Sequence, residues 1–482
     1  MTDLTFRSAL ELAAAIRRKE VSALELTDHY IARIERYDAG INAVVVRDFE
    51  RARAAARAAD AALARGTVLG PLHGLPMTIK ESFNLAGTPT TWGVPSFKDN
   101  IATEDAEYVR KLKGAGAHFL GKTNVPLNLG DFQSFNEIYG TTNNPWNHAR
   151  IPGGSSGGSA AALAAGLTGL EAGSDIGGSI RNPAHFCGVY GHKPTWGIVP
   201  PQGQVLPGMI APPDIAVVGP MARSAEDLAL SMDLVAGADP DNVAGWKLEL
   251  PRPVKQSLKD YRIAVWSTDE RMPVSREIAD RALQLGDTLR RLGATVSDTA
   301  RPDIDLDHSS RVYQGLLWGV MGAGLTEEQK AEYRAIVGTL AADDHSTPAS
   351  AARGSIQAHA TWLRSNNDRF ALRAAWRRFF TEWDILICPQ MPTTAFAHDH
   401  GDYMGRTIRV DNANFEYMQQ LFWAGQITVA HLPSTVFPTG PSSEGLPIGL
   451  QAVGAEFNDY VTIDFARLLA KEIGGFVPPP GY

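Results

Sequence analysis

Three short stretches of this chain gather residue types that do chemistry: Lys80 lies in GLPMTIKES, Ser155 in GGSSGGS and Ser179 in GSDIGGSIRNPA. The last has the composition of an oxyanion site. Its successive small residues leave the backbone N–H groups of Ile176, Gly177, Gly178 and Ser179 free to converge on a developing negative charge. Glycine at 177 and 178 lets a carbonyl come close. GGSSGGS reads either as a flexible linker or as a loop that brings backbone very near something. Taken singly, each residue has a bland reading: Lys80 a solvated surface lysine, Ser155 a turn residue, Ser179 a helix cap before IRNP. Only their joint occurrence at these separations asks for chemistry.

Two other motifs compete. Residues 116–123, GAHFLGKT, match the phosphate-loop pattern G-x-x-x-x-G-K-S/T. A working phosphate loop wraps the amides of its middle residues around the anion and starts a helix directly afterwards. Here AHFL is apolar and strand-like, and Pro126 is poorly compatible with a helix already under way, so nucleotide binding is the remote alternative. Residues 153–157, GGSSG, also satisfy G-x-S-x-G, the nucleophile elbow of α/β-hydrolases, which needs a hydrophobic strand before its serine. NNPWNHARIP precedes it, polar and interrupted by Pro145 and Pro152. A serine esterase drawing on His398, His400 or His431 therefore stands as an alternative, and it predicts that replacing a histidine, not Lys80, abolishes turnover.

Together the stretches resemble the amidase signature family. The resemblance runs from GLPMTIKE through TNVP, NNPW, PGGSSGGSAA, GSDIGGSIRNPA and GHKPT to GLPIGLQAVG, in the family's order and separations, and covers nearly the whole chain. It implies a Ser, cis-Ser, Lys triad with Ser179 as nucleophile, Ser155 as a bridging serine in a cis backbone conformation, and Lys80 as base. GGSSGGS is then a rigid catalytic loop. Ser156, Asp175 and Arg181 resemble the family's supporting residues, and neither a cofactor nor a metal is implied. The residues agree with that chemistry. A serine hydroxyl is a poor nucleophile until a base takes its proton, and a lysine is that base only when neutral. Met77, Ile79 and Phe83 flank Lys80, an apolar setting that lowers an amine's pKa. Ser155 would relay the proton and then help deliver it to the leaving nitrogen, a step amides need because an amine anion cannot leave unprotonated.

Two positions depart from the family pattern. Ile176 stands where threonine is common, at little cost if the donor is its backbone amide, and His431 in VAHLPS stands where glycine is more usual. His398, Asp399 and His400 could suggest a metal and read instead as a solvated loop. The resemblance implies that Leu129, Gly130 and Phe132 lie along an acyl pocket suited to an aliphatic or aryl group. One family branch releases ammonia from glutamine for transfer to charged tRNA within a multisubunit complex. Its glutamine-recognising acid is replaced here by Leu421, Phe422 and Trp423, which favours the non-glutamine branch. A catalytically inactive scaffold subunit that has kept only the fold is the alternative from another class.

The elements that must position these residues follow from periodicity. Ser8 with Glu11 and Ser22 with Glu25 are capping boxes, and Leu26, Tyr30, Ile34 and Tyr37 fall on one helical face. This N-terminal helical segment covers 8–65, with an Ala- and Arg-rich helix over 48–65. Further helices are predicted at 103–114, 159–166, 224–237 and 275–292. Between them LPMTIK, AHFLGKT, GVYGHKPT and AVVGPM read as strands, and 261–266 and 294–297 resume strand and helix chemistry. The alternation predicts a single large α/β domain, 1–482, with a mixed twisted β-sheet flanked by helices on both faces. A subdomain seam is expected near 238–260, and segments 313–325 and 415–430 read as core helices that could line a pocket. A formal net charge of -8 gives no basic footprint for nucleic acid. The first residues, broken by Asp3, Arg7 and Glu11, read as neither signal peptide nor anchor, and Cys187 and Cys388 are too few for a disulfide framework. These features lead to expectations of a cytoplasmic protein with a small-molecule amide as partner, no membrane or nucleic acid, and a homodimer left open.

Overall fold

The structure, a computed structural model, describes residues 4–482. Both N-terminal capping boxes form: Ser8 and Ser22 each accept from the amide three residues on, opening the helices Ala9–Arg17 and Ala23–Ile41. Amides that a helix start leaves without partners are thereby satisfied. Leu26, Tyr30 and Ile34 bury one face of the second helix, with Tyr37 packed at its rim. Helices also occupy Phe49–Ala64, Glu107–Gly114, Gly157–Ala164, Ala225–Val235 and Arg276–Arg291, each inside or within two residues of its predicted window.

An eight-stranded mixed sheet forms the centre. Its spatial order is Thr295–Ser297, Arg262–Val265, Ile385–Pro389, Pro447–Val453, Ser434–Pro441, Tyr190–Lys193, Val217–Ala222 and Glu171–Asp175. The first three strands run parallel and the remaining pairs are antiparallel. Successive strand residues point to opposite faces. Thr435 bonds Thr462 of the helix Asp459–Ile473 at 2.9 Å, whereas Val436 packs with Ala184 of the helix Arg181–Cys187. Helices therefore cover both faces, as the alternation predicts.

Lys80 does not belong to that sheet. Its strand, Pro76–Lys80, pairs in parallel with His118–Thr123, which pairs in turn with Val44–Arg47 in a separate three-stranded sheet. The two sheets meet through side chains: Thr78 Oγ1 and Thr123 Oγ1 donate to the buried carboxylate of Glu171, on the edge strand of the large sheet, at 2.5 and 3.1 Å. That junction brings Lys80 beside Ser174. Residues 238–257 contain no helix or strand, and the strands on either side of them, Val217–Ala222 and Arg262–Val265, share the large sheet. No helix of the described residues is long and apolar enough to cross a membrane.

Candidate active site

Lys80 is fully buried at the end of its strand, and its Nζ donates to three serine hydroxyls: Ser155 at 2.7 Å, Ser156 at 3.0 Å and Ser174 at 3.0 Å. Burial lowers its pKa from the ordinary lysine range to about 7, against the opposing pull of Asp175 and Glu171. The site thus holds an amine poised between charged and neutral near neutral pH.

GGSSGGS is no linker. The Gly154–Ser155 peptide is cis, and the backbone around it is tied down on both sides. Asn182 Oδ1 accepts from the Gly154 amide at 3.0 Å while its Nδ2 donates to the carbonyls of Gly154 and Gly178. Ser134 Oγ bridges the loop by donating to the Gly153 carbonyl at 3.0 Å and accepting from the Gly157 amide at 3.1 Å. Glycine is required because a Cβ on Gly154 would collide with the Asp131 carbonyl, and one on Gly158 with the backbone of Asn124. The fully buried helix Gly157–Ala164 then anchors the far end.

The Ser179 loop is braced by a buried ion pair. Arg181 Nη2 and Nε reach the two carboxylate oxygens of Asp175 at 2.9 and 3.0 Å, with both side chains fully buried. Burial raises the Asp175 carboxyl, but the Arg181 guanidinium, joined by Lys193 and the Gly178 amide, outweighs it and holds the group down at about 2. Arg181 also donates to Thr428 Oγ1 at 2.8 Å and Gln451 Oε1 at 3.2 Å, tying the loop to the helix Leu421–Thr428 and the large sheet. The Ser156 amide donates to the Ser179 carbonyl at 3.1 Å, which locks the two serine loops together. Ser155 and Ser179 face one cavity along with Ser174, Ile176 and Gln204. Among the described residues no hydrogen bond joins the two hydroxyls directly.

One expectation needs correction. The sequence places Gly178 among the open amides, but its N–H donates to Asp175 Oδ1 at 2.9 Å. The loop spends that donor on its own brace, and the amides of Ile176, Gly177 and Ser179 remain. Gly178 has a different reason to be glycine, its φ of 103°. The Ile176 carbonyl accepts from the buried Tyr313 hydroxyl at 3.1 Å, which satisfies the oxygen of the peptide that carries the Gly177 amide.

Leu129, Gly130 and Phe132 line an apolar recess with Ser179, together with Leu317, Trp318 and Met321 from the helix Leu306–Met321 and with Met418 and Leu421. Segments 313–325 and 415–430 thus contribute to the pocket wall as well as to the core. Of the three residues expected in place of an acid, only Leu421 faces this recess. Phe422 lines an outer groove, and Trp423 turns inward, packing on Trp266 and donating to the Met272 carbonyl at 3.1 Å.

The competing motifs resolve into structure. Residues 118–123 form a strand, and Lys122 is buried with its amine on the Pro89 carbonyl and Thr90 Oγ1. No strand leads into Ser155, and among the described residues no histidine lines either recess at Ser179. His431 adopts φ 61°, the left-handed conformation glycine takes easily, and stacks on Trp196 at 4.8 Å. Burial, with Arg369 and Arg373 nearby, drives its pKa down to about 2. His400 stacks on Phe135 at 4.1 Å, and Gln133 clasps the backbone of Asp399 from both sides. Sequence reasoning misses Ser174, Gln204 and Asn182. Ser174 and Asn182 lie inside the quoted GSDIGGSIRNPA and owe their roles to the direction of the strand Glu171–Asp175 and of the helix Arg181–Cys187. Gln204, which donates to Ser82 and Ser174 Oγ at 3.1 and 3.0 Å, comes from a loop with no local signal.

A braced small-residue loop and a cis-serine loop thus meet at a buried lysine, and comparison with known proteins gives the family that carries them. Residues 25–463 match the family described as Amidase. The chain is 33% identical to a glutamyl-tRNA(Gln) amidotransferase subunit of Anaeromyxobacter dehalogenans strain 2CP-C, over 98% of this chain and 97% of that one. It is 32% identical to the indoleacetamide hydrolase of Bradyrhizobium diazoefficiens, over 97% and 86%. The solved structure of 6-aminohexanoate cyclic dimer hydrolase complexed with substrate superposes with a TM-score of 0.80 at 26% identity, over 99% of each chain. The chain belongs to the amidase family.

Proposed function

We propose that the protein hydrolyses a carboxylic amide bearing an apolar aliphatic or aryl acyl group, through an acyl-enzyme on Ser179. The observation that carries this reading is the amine of Lys80, fully buried and bonded only to serine hydroxyls. A lysine kept for structure finds a carboxylate or carbonyls. One surrounded by hydroxyls, each able to donate as well as accept, can exchange protons with them.

In the proposed sequence neutral Lys80 draws a proton through Ser155 from Ser179, whose oxygen attacks the amide carbonyl. The open amides of Ile176, Gly177 and Ser179 receive the negative charge. The proton returns through Ser155 to the nitrogen, the C–N bond breaks, and water repeats the sequence to release the acid. Ser156 and Ser174 hold the Lys80 amine in line, and Asp175 with Arg181 holds the loop. The recess lined by Leu129, Phe132, Leu317, Trp318 and Leu421 supplies the apolar acyl site.

The test is mass spectrometry of the chain after reaction with a fluorophosphonate, alongside a panel of amides. Labelling at Ser179 and turnover of apolar amides are expected. Labelling at another serine overturns the site, and no labelling favours the inactive scaffold. A second reading, release of ammonia from glutamine, is favoured by the 33% identity to an amidotransferase subunit. The recess wall is apolar with Leu421 facing it, and its one carboxylate, Asp131, is already paired with Arg406 and Tyr417, which argues against a zwitterionic substrate; glutamine in the same panel separates the two.

A further inference from the structure

Two recesses meet at Ser179. The first, of about 410 Å³ counted to its open mouth, is the apolar one with Phe132, Leu317, Trp318 and Leu421. The second, of about 570 Å³ counted likewise to its open mouth, is lined by Ser155, Ser174, Trp92, Gln204, Pro213 and Ala216, and also by Val217 and Val320. Leu129, Ile176, Ser179 and Met321 belong to both. Ser155 opens only into the second, and that asymmetry assigns them.

When the C–N bond breaks, the electron pair goes to nitrogen, which must take up the proton that Ser155 hands over as Ser155 recovers one from Lys80. The amine then departs neutral, leaving the acyl carbon on Ser179 Oγ. The nitrogen must therefore lie on the Ser155 side, so its substituent extends into the second recess and the acyl chain into the first. Resting on the acyl-enzyme reading above, we propose that the Trp92 recess is a leaving-amine site and that the substrate is an N-substituted amide whose amine is apolar or aromatic.

Ammonia would need only a water-sized space beside Ser155. This recess instead continues over Trp92, Pro201, Pro213, Val217 and Val320, surface for which ammonia has no use. The backbone that carries its aromatic wall is also held in place. The buried Glu81 carboxylate, next to Lys80 in sequence, accepts from the amides of Thr91 at 2.6 Å and Trp92 at 2.9 Å. The Trp92 carbonyl accepts from the Asn128 amide at 2.8 Å. Trp92, Asn128 and Leu129 all take left-handed backbone, with φ of 56°, 51° and 55°. Residues held in that region away from glycine are over-determined by their surroundings, and such positions gather at ligand clamps. An indole carried on that held backbone suits an aromatic amine.

The test uses the full chain and amide pairs sharing one acyl group: hexanamide with N-phenylhexanamide, and phenylacetamide with N-phenyl-phenylacetamide. The N-phenyl member is expected to have the higher kcat/KM. Ala216→Phe, which fills the second recess, should lower the N-phenyl to primary ratio of kcat/KM at least tenfold, and Trp92→Ala should lower it in the same direction should the first variant fail to fold. Leu317→Trp, in the first recess, should lower both members alike and leave the ratio within twofold. A ratio moved by Leu317→Trp but not by the other two inverts the assignment and overturns it. Turnover of primary amides alone also overturns it while leaving the acyl-enzyme reading intact. Absence of turnover on every pair together with absence of fluorophosphonate labelling overturns both.

Discussion

Lys80 and Lys122 stand on neighbouring parallel strands one register step apart, Lys80 opposite Thr123 and Ile79 opposite Lys122. Both are fully buried, and burial lowers both amines, to about 7 and about 8. Their partners differ. Lys122 donates to a backbone carbonyl and one threonine hydroxyl, and that hydroxyl donates on to the Phe83 carbonyl, where the chain of exchangeable protons ends. Lys80 donates to three serine hydroxyls, two of which, Ser155 and Ser174, open on a cavity. Burial makes an amine titratable near neutrality, but only partners that both donate and accept let it act as a base. A perturbed pKa marks a candidate, and the hydroxyl shell separates the two candidates here.

The largest test of this contrast is to remove each amine. Lys80→Met should lower kcat/KM for amides by about ten-thousand-fold or more. Lys122→Met should instead lower stability by about 1–3 kcal/mol in urea titration, because its acceptors are left without a donor, while kcat/KM stays within about tenfold. Equal losses of activity would erase the distinction. Next, Asp175→Asn leaves the Arg181 guanidinium buried without its counter-charge and should cost about 3–5 kcal/mol. The Asp175 carboxyl sits at about 2, below the ordinary carboxylate range, so the stability it contributes is fully present above that range and is lost as pH falls from there towards 2. The gap between wild type and Asp175→Asn should therefore narrow on acidification, as denaturation midpoints across pH will show.

The pH profile gives a finer comparison. The proposed mechanism requires neutral Lys80, so kcat/KM should rise with pH with a midpoint near 7. The same lowered pKa means that the unfolded chain binds more protons between about 7 and the ordinary lysine range. Lys80 therefore contributes stability that grows as pH rises through that window, and Lys80→Met should flatten the slope. Lys122→Met should leave the activity midpoint where it is. Smallest of all, Ser174→Ala removes one acceptor that favours the charged amine, so the acid limb should move to lower pH with a loss of about three- to tenfold in kcat/KM, and Ser174→Thr should restore it. A loss without a shifted limb would reduce Ser174 to packing.

Much of this architecture is written in local pattern. The paired serines and glutamates at 8 and 11 and at 22 and 25 dictate helix starts because capping is settled within four residues. The apolar runs at 76–80 and 118–123 dictate strands, and the glycines around Ser155 announce a backbone that something must approach closely. What distance along the chain conceals is which strand ends beside which. Lys80 reaches Ser174 only because two separate sheets abut through Thr78, Thr123 and Glu171, and no periodicity encodes that meeting. The Gly178 amide looks open in GSDIGGS, yet whether an amide faces a ligand or a neighbouring carboxylate depends on φ and ψ fixed by the Asp175–Arg181 brace. Trp423 and Leu421 are two residues apart in one apolar stretch, and helix rotation alone sends the first into the core and the second to the recess. Residue type sets what a side chain can do at short range. Direction, burial and partner are collective outcomes of packing, and they belong to the folded chain.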